Sequence, residues 1–232
     1  STRQIHARPN IGYKFKHWEY NGITITDSVL TLNTSSNVSY KAVFEEDLLS
    51  ENPLPVAFDV DKCGYSFKFW DTEAAVASFP ARLGFVYMDQ PDPTILANVA
   101  GFTSGDYDSN SRTRVNGLGE NGVSFINTSS SRDGYPETRI GGAILSLNTS
   151  NFQSLNLAFT AGTVTANSRQ YNLRLQYRIG DKLPFIDLLD ENNQVVEYSR
   201  SANNGHEQQF EVNLPNSLLG KPYVQLFWRY YY

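Results

Sequence analysis

"QYNLRLQYRI", residues 170–179, is the stretch that decides the fold class of this chain. Every second side chain in it is apolar or aromatic, and the side chains between them are polar. Successive side chains of a β-strand point to opposite faces of a sheet. The alternation therefore predicts a strand with one apolar face and one polar face.

Two other stretches repeat this alternation, "LNLAF" at residues 155–159 and "YVQLFWRYYY" at residues 223–232. The whole chain of 232 residues is 13% aromatic and only 19% charged, a composition that suits pleated and half-buried strands. Many short strands separated by turn residues are typical of two packed antiparallel sheets. We therefore expect an all-β protein, built mainly as a jelly-roll or β-sandwich of antiparallel strands.

The first part of the chain has a compact strand pattern of its own. "GYKFKHWEYNG" at residues 12–22 alternates aromatic with charged residues and ends in an Asn-Gly turn at Asn21 and Gly22. An acidic stretch with two prolines follows at residues 47–55 and is interpreted as a linker. The predicted organisation is a small β-grasp-like module at residues 1–46, this linker, and a sandwich at residues 56–232.

The first module carries a family resemblance. "PNIGYKFKHWEYNG", followed by "LTLNTSSNVSYKAVFEE", resembles the divergent internalin-type B-repeat, a small β-grasp module of secreted bacterial proteins. The resemblance implies a spacer or adhesion role without catalysis. It also implies that the protein is secreted or held at the bacterial cell surface.

The second part carries another resemblance, through "TRVNGLGENGVSFINT" and "NSRQYNLRLQYRIG" in particular. The order of these pieces is similar to a β-sandwich module found beside lamin-tail domains, spore-coat-like kinases and glycan-degrading enzymes in secreted bacterial multidomain proteins. The resemblance implies an accessory module with other domains of the parent chain as neighbours. It also implies one further strand beyond residue 232, which the sandwich of this chain would lack.

Two motif-like runs have simpler interpretations. "GLGENG" at residues 117–122 has the spacing of a dinucleotide fingerprint, but the strand-like "VSFIN" follows it where a helix is required. We expect hairpin turns at Asn116-Gly117 and Asn121-Gly122 instead. "DYDSN" places Asp106, Asp108 and Asn110 like the first ligands of a calcium loop, yet the required Gly and Glu are missing further on. These three residues remain weak candidates for Ca²⁺, and no other cofactor is expected.

Charge and composition exclude several classes of function. The net charge of −5 and the lack of a basic cluster argue against nucleic acid as a partner. No apolar run approaches the length of a membrane-spanning helix. Catalytic sequence motifs are also missing, so we expect a protein that is not an enzyme. The single cysteine, Cys63, is interpreted as a small buried hydrophobe.

The polar face of the strand at residues 170–179 is the candidate binding surface. If it is exposed, its planar donors suit sugar hydroxyls or acidic groups, and aromatic side chains on a neighbouring strand could form platforms for sugar rings. Such polar side chains are also ordinary on a solvated face. The predicted ligand-binding residues are Asn172, Arg174, Gln176, Arg178, Tyr223, Gln225, Arg229 and Tyr231.

The function expected from these observations is a non-catalytic accessory module that binds polysaccharide or oligosaccharide and anchors a secreted bacterial protein. One alternative is a structural spacer or cell-surface adhesion module that binds protein. Another is a hydrolase or lyase whose paired carboxylates meet only in the folded chain.

Overall fold

The structure is a computed structural model that describes residues 2–33, 37–61, 63–75, 78–87, 113–127 and 139–232. Strands make up about half of these residues, and no α-helix occurs among them. The chain divides into two compact units, residues 1–51 and residues 52–232. The boundary lies inside the stretch that the sequence suggests as a linker.

The described residues of the first unit form five strands in two small sheets. Strand β2 (Tyr13–Tyr20) lies between β3 (Ile23–Ile25) and β5 (Lys41–Glu46), while β1 (Thr2–His6) pairs with β4 (Val29–Asn33). The turn between β2 and β3 has positive φ angles at Asn21 and Gly22, as hairpin turns of this kind require. Trp18 and Leu30 are buried in this unit, and the Trp18 indole nitrogen donates a hydrogen bond to the carbonyl oxygen of Asp27 at 3.0 Å.

The second unit is built on a sheet in which seven strands are described. Its strands are β6 (Phe58–Asp59), β7 (Leu83–Tyr87), β10 (Arg139–Asn148), β12 (Asn172–Ile179), β13 (Ile186–Asp187), β14 (Glu197–Ser199) and β16 (Val224–Tyr231). The central strands run in the order β12, β16 and β10, and each neighbouring pair is antiparallel over the whole length of the shorter strand. Two short strands, β13 and β14, pair with the outer edge of β12, and β6 and β7 pair with β10.

Two antiparallel ribbons pack on the apolar face of this sheet. One ribbon joins β8 (Thr113–Gly117) to β9 (Val123–Asn127), and the other joins β11 (Asn156–Thr163) to β15 (His206–Asn213). Phe125 of β9 stacks on Tyr230 at 5.5 Å between ring centroids, and Phe159 of β11 meets the edge of Trp228 at 5.7 Å. The core between the layers includes the alternating apolar side chains that the sequence places on one face of β12.

The β8–β9 hairpin corrects one turn prediction. The turn lies at residues 118–122, where Gly119 and Gly122 have positive φ angles. Gly117, in contrast, lies within β8, so the predicted turn at Asn116-Gly117 is wrong. Glycine is needed there for another reason: an added Cβ atom would lie 2.5 Å from the carbonyl oxygens of Trp70 and Asp71. The strand that follows the turn agrees with the rejection of a dinucleotide fingerprint.

The all-β architecture expected from the sequence is confirmed, and the packed sheets are those of a β-sandwich. The alternation of residues 170–179 explains why. An apolar face has to be covered by a second layer, and the ribbons supply that layer. The opposite, polar face of the same sheet is the candidate site.

Candidate functional site

The register of the large sheet brings the predicted binding residues together on one face. Residues that pair directly across antiparallel strands point to the same side of the sheet. Arg174 pairs with Arg229, and Arg178 pairs with Gln225. The other predicted residues lie on the same side, as do Glu197 of β14 and Asp187 of β13, which pair with β12. We call this side of the sheet the polar face.

Most of the polar face is buried, in contrast to the exposed ladder on which the sequence interpretation depends. Six of the eight predicted residues are no more than 5% exposed: Gln176, Arg178, Tyr223, Gln225, Arg229 and Tyr231. Asn172 and Arg174 are half-buried. Alternation separates the two faces of a strand, but it does not say which face another segment covers. Ligand contact remains a prediction for all eight residues. Because the other six are buried, Asn172 and Arg174 are the two that are placed best to reach a ligand.

One end of the polar face binds the segment that precedes β6. The Nε2 of Gln225 donates to the carbonyl oxygen of Leu54 at 3.0 Å, and the Tyr223 hydroxyl donates to that of Pro55 at 2.7 Å. Both acceptors fall in the predicted linker. Because each buried side chain satisfies a backbone carbonyl, residues 54 and 55 belong structurally to the sandwich.

Arg178 is fixed at the same end. Its Nε donates to Oε1 of Gln225 at 2.7 Å, and its Nη1 donates to the carbonyl oxygen of Leu183 at 2.9 Å. The guanidinium carbon lies 4.2 Å from the ring centroid of Phe185, within the range of a cation–π contact. A buried arginine held in this way stabilises the fold around it.

A chain of hydrogen bonds crosses the middle of the polar face. The Nε of Arg229, which is fully buried, donates to Oε1 of Gln176 at 2.6 Å. The Nε2 of Gln176 in turn donates to Oδ1 of Asp187 at 2.7 Å. Buried polar groups are stable only when their partners are fixed, so this chain orients Asp187 at the edge of the sheet.

The accessible part of the polar face is an ion-paired cluster at this edge. The Nε of Arg174 donates to Oε2 of Glu197 at 2.7 Å, and its Nη1 donates to Oδ2 of Asp187 at 3.0 Å. The three side chains are 20%, 21% and 29% exposed, respectively. Asn172 and Ser199, which pair with each other, lie beside this cluster. We call these five residues the rim.

Tyr231, which is buried, contacts two residues of the rim. Its hydroxyl donates to Oε2 of Glu197 at 2.5 Å, and the Arg174 guanidinium lies 5.6 Å from its ring centroid. Burial, together with the bond to Glu197, raises the pKa of Tyr231 to about 12. Burial alone would lower the pKa of Arg174, but the hydrogen bond to Glu197 and the neighbouring Tyr231 and Asp187 raise it overall. The guanidinium therefore stays charged.

Sequence analysis missed Asp187, Glu197 and Ser199. Strands β13 and β14 contain only two and three residues, too few for an alternation to be recognised. The sequence therefore gives no reason to place either acidic residue on the sheet. The one available signal is that Asp187 interrupts the apolar run "PFIDLL", where an acidic side chain requires a partner.

The remaining candidates lie elsewhere. Asp106, Asp108 and Asn110 fall outside the described residues. Within the described part of the chain, no group of three or more His, Cys, Asp or Glu side chains is placed to hold a metal ion. No described helix is long and apolar enough to cross a membrane. Cys63 is exposed, so its expected burial is wrong.

Comparison with known proteins finds a match for the first unit only. Residues 1–48 match the family model of the divergent InlB B-repeat domain, which confirms the resemblance stated for the start of the chain. Neither the curated proteins nor the solved structures contain a match. B-repeats are typical of bacterial surface proteins, and the match indicates a surface or accessory module.

Proposed function

We propose that the chain is a non-catalytic accessory module of a secreted or surface-exposed bacterial protein, and that it anchors that protein to polysaccharide. The rim is the observation that supports a binding role. Its planar groups are held at fixed positions by ion pairs and by the buried chain behind them, yet about a fifth or more of each charged side chain is exposed.

Fixed polar groups favour sugar binding because a saccharide presents many hydroxyls in a set arrangement. A side chain that is already ordered loses little conformational entropy when it accepts or donates a further hydrogen bond. Arg174, Asp187 and Glu197 are ordered by one another before any ligand arrives. The geometry thus supplies preorganised partners at the edge of a rigid sheet.

The affinity is expected to be low. The sequence interpretation placed sugar rings on Tyr223 and Tyr231, but both side chains are buried and can offer no open ring face. Hydrogen bonds from water compete with those of an exposed rim, so we expect dissociation constants on the order of 1 mM for a single contact. Useful anchoring would then come from several contacts along one polymer.

The test is electrophoresis of the full chain through native gels cast with plant, algal and microbial polysaccharides. We expect retardation in at least one polysaccharide, and Arg174→Ala should reduce the retention about tenfold, because it removes the donor that fixes both rim carboxylates. Gln209→Ala is the matched control, since Gln209 lies exposed on β15 in the other layer. It should migrate like the wild type.

Other outcomes would redirect the assignment. Wild-type migration that is unchanged in every gel would contradict the proposal and favour the spacer or protein-adhesion alternative. Release of reducing ends or unsaturated products from the gel polymer would favour a hydrolase or lyase. The same gels run with a chelator test the proposed Ca²⁺ ligands Asp106, Asp108 and Asn110, because a calcium-dependent site would lose its retention.

A further inference from the structure

The rim also indicates which class of polysaccharide it can take, an inference that rests on the proposed function. The deciding feature is the balance of charges and of hydrogen-bonding atoms that remain for a ligand. The rim holds one guanidinium and two carboxylates. The side chains of the rim itself therefore sum to one negative charge. A second guanidinium, that of Arg229, lies fully buried behind the rim, where its Nε donates to Gln176.

Arg174 already donates hydrogen bonds to side chains of the protein itself. Two of the donor nitrogens of Arg174, Nε and Nη1, point at Glu197 and Asp187 over distances of 2.7 and 3.0 Å. An arginine that recognises an acidic sugar would have to present its planar fork to the ligand carboxylate. Here that fork is turned towards carboxylates of β13 and β14.

The rim also retains a charged acceptor for a ligand, the Oε1 of Glu197, beside polar groups that can donate or accept. Glu197 uses only Oε2 for Arg174 and Tyr231, and its Oε1 accepts no hydrogen bond from the described residues. Ser199 is exposed beside it, and Asn172 adds a half-buried amide whose Oδ1 accepts from Gln170 at a long 3.5 Å. Carboxylate oxygens are strong acceptors for hydroxyl donors, which every neutral sugar carries.

From this arrangement we infer that the ligand of the rim is a neutral polysaccharide and not one rich in uronic acids. Hydroxyl groups would donate to Glu197 and Asp187, while Ser199 and Asn172 would contact neighbouring hydroxyls. A uronate would bring its own carboxylate close to two others, and like charges at such distances repel.

The experiment is a paired set of native gels. Two contain neutral polymers, a mixed-linkage β-glucan and a galactomannan, and two contain uronate polymers, alginate and polygalacturonate. Retardation of the full chain in a neutral gel, with mobility in the uronate gels within about twofold of the polymer-free gel, is the expected result. Retardation that is equal or stronger in a uronate gel would overturn the inference and leave polysaccharide binding in place. Unchanged mobility in both neutral gels would overturn the inference, whereas the proposed function fails only if every gel of the full panel leaves the mobility unchanged.

Glu197→Gln locates the effect. This substitution keeps the size of the side chain but removes the charge that strengthens hydrogen bonds from hydroxyls, so retention in the neutral gel should fall about three- to tenfold. Glu211→Gln, on the exposed face of β15, changes the net charge of the chain by the same amount and should leave retention unchanged. Equal retention of the two variants would overturn the assignment to the rim.

Discussion

At the scale of single residues, the polar face separates into a buried part and an accessible rim, although both parts contain arginine side chains. Arg174 and Arg178 lie four residues apart on one strand, but Arg178 is only 2% exposed. Burial changes what each can do. An arginine enclosed by protein acceptors serves the fold, whereas one at an open edge can also meet a ligand.

Arg178→Ala should therefore destabilise the protein without a specific effect on binding. The substitution leaves Oε1 of Gln225 and the carbonyl oxygen of Leu183 without these donors, which costs about 2–3 kcal/mol. For a unit of this size we expect the melting temperature to fall by about 5–10 °C, measured by circular dichroism. Arg3→Ala, at an exposed position of β1, is the control. A melting temperature equal to that of the control would show that the buried contacts contribute little.

Tyr231 provides a prediction about pH. Its pKa is raised to about 12 from an ordinary value near 10, chiefly by burial. A group with a raised pKa contributes stability that is complete below its unfolded value and is lost as the pH rises through the folded one. Stability should therefore decline between about pH 10 and pH 12.

Tyr231→Phe tests this cause. At neutral pH the variant should be less stable by about 1 kcal/mol, because the bond to Glu197 is lost. Between pH 10 and pH 12 the difference from the wild type should shrink, since the phenylalanine has no proton to lose. Urea unfolding across this pH range measures the difference, and a gap that stays constant would rule out Tyr231 as a contributor.

At the scale of elements, the packing of β10 against β16 depends on a glycine. A Cβ atom on Gly142 would lie 1.9 Å from the carbonyl oxygen of Trp228 and 2.6 Å from a ring carbon of Phe227. Both atoms belong to the central strand of the sheet, which cannot move away without breaking its pairing with β12.

Gly142→Ala should consequently prevent folding, or cost about 4 kcal/mol or more. Gly84→Ala is a matched comparison on neighbouring β7, because its Cβ would meet only the Pro55 ring at 3.1 Å. Soluble yield and urea midpoints measure both variants. If the two variants have equal yields and equal urea midpoints, the close approach of β10 and β16 does not require glycine at position 142.

Much of the element-level architecture could be predicted because alternation reports directly on a sheet with one apolar face. Strands β12 and β16 were recognised for this reason. Strands β13 and β14 were not, since two or three residues contain no usable period. The burial of Arg178 and Gln225 was also out of reach, because it depends on residues 54 and 55 and on Phe185, which meet the sheet only in the folded chain.

At the scale of the whole molecule, the chain consists of two compact units with separate cores. Trp18 and Leu30 belong to the first unit, and the cluster around Leu175 and Leu226 belongs to the second. The first unit is small and buries few large side chains, so its stability should be the lower of the two.

Calorimetry of the full chain should accordingly show two transitions, with the smaller enthalpy in the transition at lower temperature. Trp18→Ala should remove or lower the first transition by loss of the buried indole and leave the second in place. A single transition that shifts as a whole in this variant would mean that the units unfold cooperatively.

The central claim is that the rim, and not the buried remainder of the polar face, meets polysaccharide. The most direct measurement is a nuclear magnetic resonance titration of the isotope-labelled full chain with oligosaccharides of the gel polymer that retards it most. The account predicts that the largest shifts occur at the backbone amides of Asn172, Arg174, Asp187, Glu197 and Ser199. Shifts confined to the β11–β15 ribbon or to residues 1–51 would contradict it.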